Sequence, residues 1–295
     1  GIEQFYLLVT KCILENPFYR NAVRDLKIIG ENIYVVMNYQ FQNEKKFTTI
    51  VLSGSFKSNK INFEVFFNSN EYTLDFFDPA HSGGKIQKIK DVFYLAIPDY
   101  GDAENFPQNK SSIFGKFIKI IDDNNYEIIS YGHRNPQGFL YHKDYNKMFA
   151  TEHGPAGGDE INLIEKNENY GWPISSYGED KWVKNKKHSN LNHKEPLIYW
   201  DDNPGISEII YVPKTSKLPF ADRIVVASLS GSITGPNEYS GYHLYVYKFK
   251  DDKLFFDNKV FINDRIRDIL YDKKLDRLVL SVEILSQFYF SQLFY

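Results

Sequence analysis

The sequence predicts an all-β protein built from blade-like sheets, and three observations carry that expectation. Aromatic residues (24 Phe, 22 Tyr and 3 Trp) make up 17% of the 295 residues and are interleaved with Ile and Val, the mixture that suits pleated strands. Short apolar runs bounded by Asn, Asp, Lys or Gly recur along the chain, as strands separated by turns do. One theme returns five times: a polar turn, then an apolar run starting at Ile33, Val92, Met148, Ile224 and Leu278. These starts are 54 to 76 residues apart. Each interval holds about four short strands with their turns, the size of one propeller blade.

Taken in order, Gln4 to Leu14 carries a helical period, with Phe5, Leu8, Val9 and Cys12 on one face. Glu31-Asn32 turns into Ile33–Val36, and Phe47–Ser53 and Ile61–Phe67 read as the next strands. Lys90-Asp91 leads into Val92–Ala96, followed by Gly115–Ile121 and Tyr126–Ser130. Asn146-Lys147 leads into Met148–Ala150, after which the Gly- and Asn-rich stretch from Gly154 to Asn192 reads as an insertion. Ile206–Val212 precedes the turn Asp222-Arg223 and the run Ile224–Ala227; Tyr242–Lys248 and Lys259–Ile262 come next. Asp276-Arg277 opens Leu278–Leu280, and residues 281–295 form an atypical aromatic tail containing Phe288-Tyr289-Phe290. No linker or shift in composition interrupts this series, so residues 1–295 read as one domain.

Composition excludes several functions. With 35 Lys+Arg against 38 Asp+Glu the net charge is −3, and the densest basic cluster is only Lys184-Asn185-Lys186-Lys187. A nucleic-acid binder would show a basic face, so no nucleic-acid partner is expected. No run of about 18 uninterrupted apolar residues exists to form a membrane span. The single cysteine, Cys12, forbids an internal disulfide and any multi-cysteine metal site. The chain begins at Gly1 rather than Met, so the lack of a leader says nothing about compartment.

Candidate chemistry gathers in two polar loops. The first runs Tyr131-Gly132-His133-Arg134-Asn135-Pro136-Gln137-Gly138. The second runs Thr151-Glu152-His153-Gly154-Pro155-Ala156-Gly157-Gly158-Asp159-Glu160-Ile161-Asn162 and is followed by Asn169-Tyr170-Gly171-Trp172-Pro173. Glycines beside charged groups let backbone approach a ligand, and Asp159, Glu160 and nearby carbonyls are hard oxygen donors of the kind calcium takes. The same residues would also serve as plain solvated turns. Upstream, His81-Ser82-Gly83-Gly84 places open space beside an imidazole that could act as a base, with Asp99 a carboxylate further on or simply a turn residue. Arg265 and Arg267 stand two apart, so on a strand they share a face; they suit a carboxylate ligand, or a solvated face paired with Asp264 and Asp268.

The order G-H-R-N-P-Q-G, T-E-H-G-P, G-D-E-I-N, N-Y-G-W-P closely resembles the soluble quinoprotein glucose and aldose sugar dehydrogenases, the glucose/sorbosone dehydrogenase group, and the aldose branch in particular. The likeness extends from about Asp25 to Leu280. It implies a six-bladed β-propeller using pyrroloquinoline quinone (PQQ) and Ca2+ to oxidise an aldose at C1 to the lactone. By that resemblance His81 is the general base, Asp99 its orienting carboxylate, and Arg134 and Asn135 donors to the developing oxyanion. His153, Gly154, Pro155, Arg265 and Arg267 contact the cofactor. The carbonyls of Gly154 and Pro155 ligate the calcium that polarises the quinone, and Glu160 with the Tyr170 carbonyl holds a second, structural ion. Electrons pass to an external acceptor, since no haem motif is present, and relatives are periplasmic or secreted.

Three departures stand against that pattern. Ser230 replaces a family lysine, and Asn203-Pro204-Gly205 lacks the larger groups that pack on the cofactor in the glucose branch. Most of a first blade is missing before residue 24: either the ring closes differently or the chain is incomplete. The alternative function is a non-catalytic propeller that binds carbohydrate or a protein partner. A third reading makes the chain a subunit of a homo-oligomer or larger assembly that uses the aromatic tail as its interface.

Overall fold

In the computed structural model, residues 22–40, 46–57, 61–73, 78–229, 242–282 and 290–291 are described. The expected helix Gln4–Leu14, Ser230 and most of the aromatic tail lie outside these residues. The described residues form two compact units, one from residues 1–136 and 166–173, the other from 137–165 and 174–295.

The first unit holds two four-stranded antiparallel meanders. One is β1 (Ala22–Ile29), β2 (Asn32–Gln40), β3 (Phe47–Ser55) and β4 (Phe63–Asn68). The other is β5 (Lys85–Ile89), β6 (Val92–Ile97), β7 (Lys116–Ile120) and β8 (Tyr126–Tyr131). A core containing Val36, Val51, Phe67, Ile86, Leu95 and Ile118 lies between them.

The second unit holds three sheets. These are β9 (Pro136–His142), β10 (Lys147–Glu152), β11 (Glu160–Ile164) and β12 (Ile198–Tyr199); β13 (Ile206–Val212), β14 (Arg223–Ser228), β15 (His243–Lys250) and β16 (Lys253–Phe261); and β17 (Ile266–Asp272), β18 (Arg277–Val282) and β19 (Phe290–Ser291). The middle sheet is buried on both faces. Ile224 and Val226 enter one core, Val225 and Ala227 the other, because successive side chains of a strand point to opposite sides. That explains the unbroken apolar run of β14.

The five repeats of the sequence theme are β2, β6, β10, β14 and β18, each the second strand of its sheet in chain order. The turn before each takes a left-handed residue: Gly30 (φ 63°), Lys90 (57°), Asn146 (53°), Asp222 (59°) and Asp276 (47°). Glycine, Asn and Asp tolerate that region best, so the hairpins explain the polar turn chemistry.

Several boundaries differ from the expectation. Lys259–Phe261 is the end of the nine-residue β16 rather than a separate strand, and Ile262 lies just past it. Glu160-Ile161-Asn162 is not loop but the start of β11. Arg265 precedes β17, and the β17–β18 register shifts between Ile266 and Asp268, at Arg267. Such a bulge breaks the period of two, so the expected shared strand face does not form; Arg265 is half-buried and Arg267 exposed. Among the described residues there is no α-helix, and no helix is long and apolar enough to cross a membrane.

Candidate active site

In the first unit, Asp78 caps a short turn, Pro79–His81, by accepting from the amide of Ala80 at 2.8 Å. His81 closes that turn. Asp99 follows β6 in the next sheet and is fully buried. Its Oδ1 accepts from His81 Nδ1 (3.0 Å) and from the amide of Gly101 (2.8 Å). On its other side, Oδ2 accepts from Trp172 Nε1 at 2.7 Å.

Arg134, in the loop after β8, donates from Nη2 to His81 Nε2 at 2.6 Å. A guanidinium can only donate, so Nε2 must carry the lone pair. His81 is therefore the neutral Nδ1–H tautomer, donating to Asp99 on one side and accepting from Arg134 on the other. The Arg134 guanidinium also lies 5.2 Å from the centre of the Trp172 ring, and its carbonyl accepts from the Asp99 amide at 2.9 Å.

Asn135 is buried and bridges backbone. Its Oδ1 accepts from the Gly83 amide (3.0 Å) and its Nδ2 donates to the Ala80 carbonyl (2.9 Å). One partner is a donor and the other an acceptor, which fixes the amide orientation. Asn135 thus braces both sides of the turn that presents His81.

Behind this cluster, buried Lys116 donates to the carbonyls of Phe106 (2.8 Å), Pro107 (3.1 Å) and Phe114 (2.6 Å). Burial pushes its ammonium down to about 7, opposed by the charges of Glu71 and Asp99. The loop it gathers carries Gln108, whose Nε2 donates to the Trp172 carbonyl at 2.6 Å. His133, adjacent to Arg134 in sequence, is a packing residue: it meets Ser130 Oγ at 2.8 Å and stacks on Tyr170 with centroids 4.5 Å apart.

In the second unit, His153 Nε2 donates to the Ile206 carbonyl at 2.7 Å. Buried Asp159 ties the neighbouring loop together: Oδ1 accepts from the Gly154 amide (3.0 Å) and Oδ2 from the Ile206 amide (3.1 Å). Burial raises its carboxyl, against the lowering pull of His153 and these amides. The Pro155 carbonyl accepts from Asn203 Nδ2 at 2.8 Å, while Asn203 Oδ1 is buried with no hydrogen-bond partner. Gly154 tolerates no side chain, since a Cβ there would sit 2.2 Å from the Gly157 carbonyl oxygen.

Glu160 opens β11 with His188 Nε2 3.4 Å from its Oε1 and Asn162 Nδ2 3.2 Å from its Oε2. Burial pulls the His188 imidazole down, but Glu160, Glu195 and the Lys194 carbonyl together outweigh it and the net shift is upward. Tyr177 stacks on His188 and, at 3.6 Å, on Tyr199. Tyr170, expected to share an ion with Glu160, belongs to the first unit. Among the described residues no group of three or more His, Cys, Asp or Glu is arranged to hold a metal.

His81, Asp99, Arg134 and Asn135 thus come together within one unit. Sequence reasoning missed three supporting residues there: Trp172, Gln108 and Lys116. Trp172 stood inside the quoted N-Y-G-W-P pattern, and its position two residues after Tyr170 was the available signal.

Comparisons with known proteins follow the same lines. An aldose sugar dehydrogenase of Escherichia coli, YliI, is 28% identical over 212 residues, 64% of this chain and 54% of that one. The chain spans about half the length of the curated relatives it matches. The solved apo-form of the soluble aldose sugar dehydrogenase from Escherichia coli superposes with a TM-score of 0.76 at 22% identity, covering 90% of this chain and 80% of that one. The PQQ-bound aldose sugar dehydrogenase of Streptomyces coelicolor gives 0.65 at 19% identity, covering 90% and 75%. These two structural likenesses speak for the fold. A family model, glucose/sorbosone dehydrogenase, matches residues 29–282, and the chain belongs to that family.

Proposed function

We propose that this chain oxidises an aldose at C1 to its lactone within a six-bladed ring that uses PQQ and calcium, passing electrons to an external acceptor outside the cytoplasm. The observation that supports this reading most is the locked state of His81, held as the Nδ1–H tautomer between buried Asp99 and Arg134. The five described sheets, in a chain covering 80% of a structural neighbour, accord with a six-bladed ring.

This chain's own groups fit the two partners. The Pro155 carbonyl and the unpartnered Asn203 Oδ1 are hard oxygen donors, so Gly154 and Pro155 would hold calcium with Asn203 close by. A second ion at Glu160 has less to support it, because His188 Nε2 already stands 3.4 Å from its Oε1. Within the first unit, the Arg134 guanidinium would meet an anionic cofactor. When bound, the quinone supplies a hydride acceptor and calcium a Lewis acid.

The protein's part is proton handling and orientation. Asp99 fixes Nδ1–H, which leaves Nε2 as the base for the proton of the C1 hydroxyl. Arg134 occupies that lone pair at 2.6 Å, so it must release Nε2 before the sugar hydroxyl can take its place. The freed guanidinium is then a donor for negative charge developing during the reaction. Once protonated, the imidazolium is stabilised by the Asp99 carboxylate. Asn135 keeps the His81 turn in register throughout.

The test is dye reduction by purified protein supplied with calcium and PQQ, across a panel of aldoses. Turnover is expected, with His81→Ala lowering kcat by about 10²- to 10⁴-fold. No turnover with any aldose, and no change in the quinone spectrum on adding protein, would leave the binding-module reading instead.

A further inference from the structure

We propose that Trp172 is a positioning residue for the proton-transfer pair, setting Asp99 through its indole N–H and Arg134 through its ring. The proposal rests on the reading of His81 as the base, and it deepens that reading.

Asp99 is a fully buried carboxylate, and such a group needs a donor for each lone pair it keeps from water. Its Oδ1 is shared by His81 Nδ1 and the Gly101 amide, while its Oδ2 is met by Trp172 Nε1 at 2.7 Å. Donors on both oxygens stop the carboxylate rotating, so Oδ1 stays aimed at the imidazole. Without the indole N–H, Oδ2 would be left buried without that donor. The carboxylate would then turn to recover a partner, and the hydrogen bond that selects the His81 tautomer would weaken.

The same indole supports the second catalytic neighbour. The Arg134 guanidinium lies 5.2 Å from the ring centre, within cation–π range, while Nη2 reaches His81. One rigid side chain therefore touches both groups that hold the imidazole.

Trp172 is itself held in place. Its amide donates to the Gly132 carbonyl at 3.0 Å and its carbonyl accepts from Gln108 Nε2 at 2.6 Å. Gln108 in turn exchanges amide hydrogen bonds with Asn169 at 3.1 and 2.8 Å. Gly132 sits at φ 77° with no room for a side chain, since a Cβ would lie 2.3 Å from Asn169 Oδ1. The tether therefore reaches the indole through backbone that cannot drift far.

The experiment compares wild type, Trp172→Phe, Trp172→Ala and Gln108→Leu. Phe keeps a ring beside Arg134 but cannot donate to Asp99; Ala loses both contacts; Gln108→Leu loosens the indole without altering it. The first readout needs no cofactor: the ¹⁵N spectrum of the histidine side chains in the apo-protein. Wild type should show His81 with a protonated Nδ1 and an unprotonated Nε2. Trp172→Phe should show both nitrogens averaged towards a tautomer mixture, with Gln108→Leu shifted the same way by less. The second readout is kinetic, on protein loaded with PQQ and calcium. Trp172→Phe should lose about 10²-fold in kcat with little change in KM, and Trp172→Ala should lose more.

A Phe variant with both the wild-type nitrogen pattern and the wild-type kcat overturns the proposal. If the Phe variant does not fold, an unchanged pattern and kcat in Gln108→Leu overturn it equally. A wild type that never turns over, but whose His81 pattern is lost in Trp172→Phe, sinks the dehydrogenase reading and upholds the positioning role.

Discussion

Three backbone carbonyls receive the ammonium of buried Lys116, and together they need three N–H groups, which only the protonated form has. Burial nevertheless pushes that group down to about 7, while in the unfolded chain it would hold its proton until about 10.4. Between those values the unfolded chain binds more protons than the folded one, so this residue makes stability rise with pH. Below about 7 both states are protonated and the burial cost is constant. Urea midpoints should therefore shift in favour of wild type over Lys116→Met as pH climbs from about 7 to about 10. Parallel curves across that range would contradict the assignment. Nothing local marks this residue as buried, because a lysine in Gly115-Lys116-Phe117-Ile118 reads as the exposed face of a strand. His81 and Asp99 were singled out for a different reason: two glycines open space beside the imidazole, and the family resemblance pairs it with a carboxylate further on. Trp172 was overlooked because a tryptophan between Gly and Pro reads as packing, and only the fold shows the carboxylate it faces.

Gly138, the last residue of the G-H-R-N-P-Q-G motif, lies in β9. A Cβ there would come within 2.6 Å of Thr151 Oγ1, 2.7 Å of the Ser207 carbonyl oxygen and 2.8 Å of the Ile209 amide nitrogen. Two of those atoms are backbone, so they cannot swing away as a side-chain tip would. Gly138→Ala should cost about 1 to 3 kcal/mol by overpacking, visible as a lower denaturation midpoint. An unchanged midpoint would mean that β9 and β13 are free to separate. The glycine thus serves close strand packing, although its place in a polar motif suggested room for a ligand. The apolar runs of β6, β10 and β14 were readable because their hairpins demand left-handed turn residues that Lys90, Asn146 and Asp222 supply. Two-residue β12 was not, because a strand that short leaves no period to detect. The register around Arg265 and Arg267 was unreadable for a related reason, since no periodicity reveals a bulge in advance.

For the whole molecule, the repeat of one hairpin theme made the series of sheets legible, whereas the division into two compact units was not. The first unit takes residues 166–173 from the middle of the second, so no linker composition could have marked it. What the whole chain does with its ligands can be read from stability, because anything that binds only the folded state adds RT ln(1 + [L]/Kd). At about 100 times Kd that amounts to roughly 2.7 kcal/mol. For a chain of this size it corresponds to a few degrees in melting temperature. Calcium should therefore raise the melting temperature, and a chelator should reverse the rise. Asn203→Ala should shrink it, because that variant removes the unpartnered Oδ1 beside the Pro155 region while leaving the His81 cluster alone. PQQ added after calcium should raise the temperature further, and Arg134→Ala should reduce that second step. A melting temperature indifferent to calcium, with or without the quinone, would remove Gly154, Pro155 and Asn203 from the metal assignment. The proton chemistry of His81 would then have to stand on its tautomer alone, which the nitrogen spectrum reads independently.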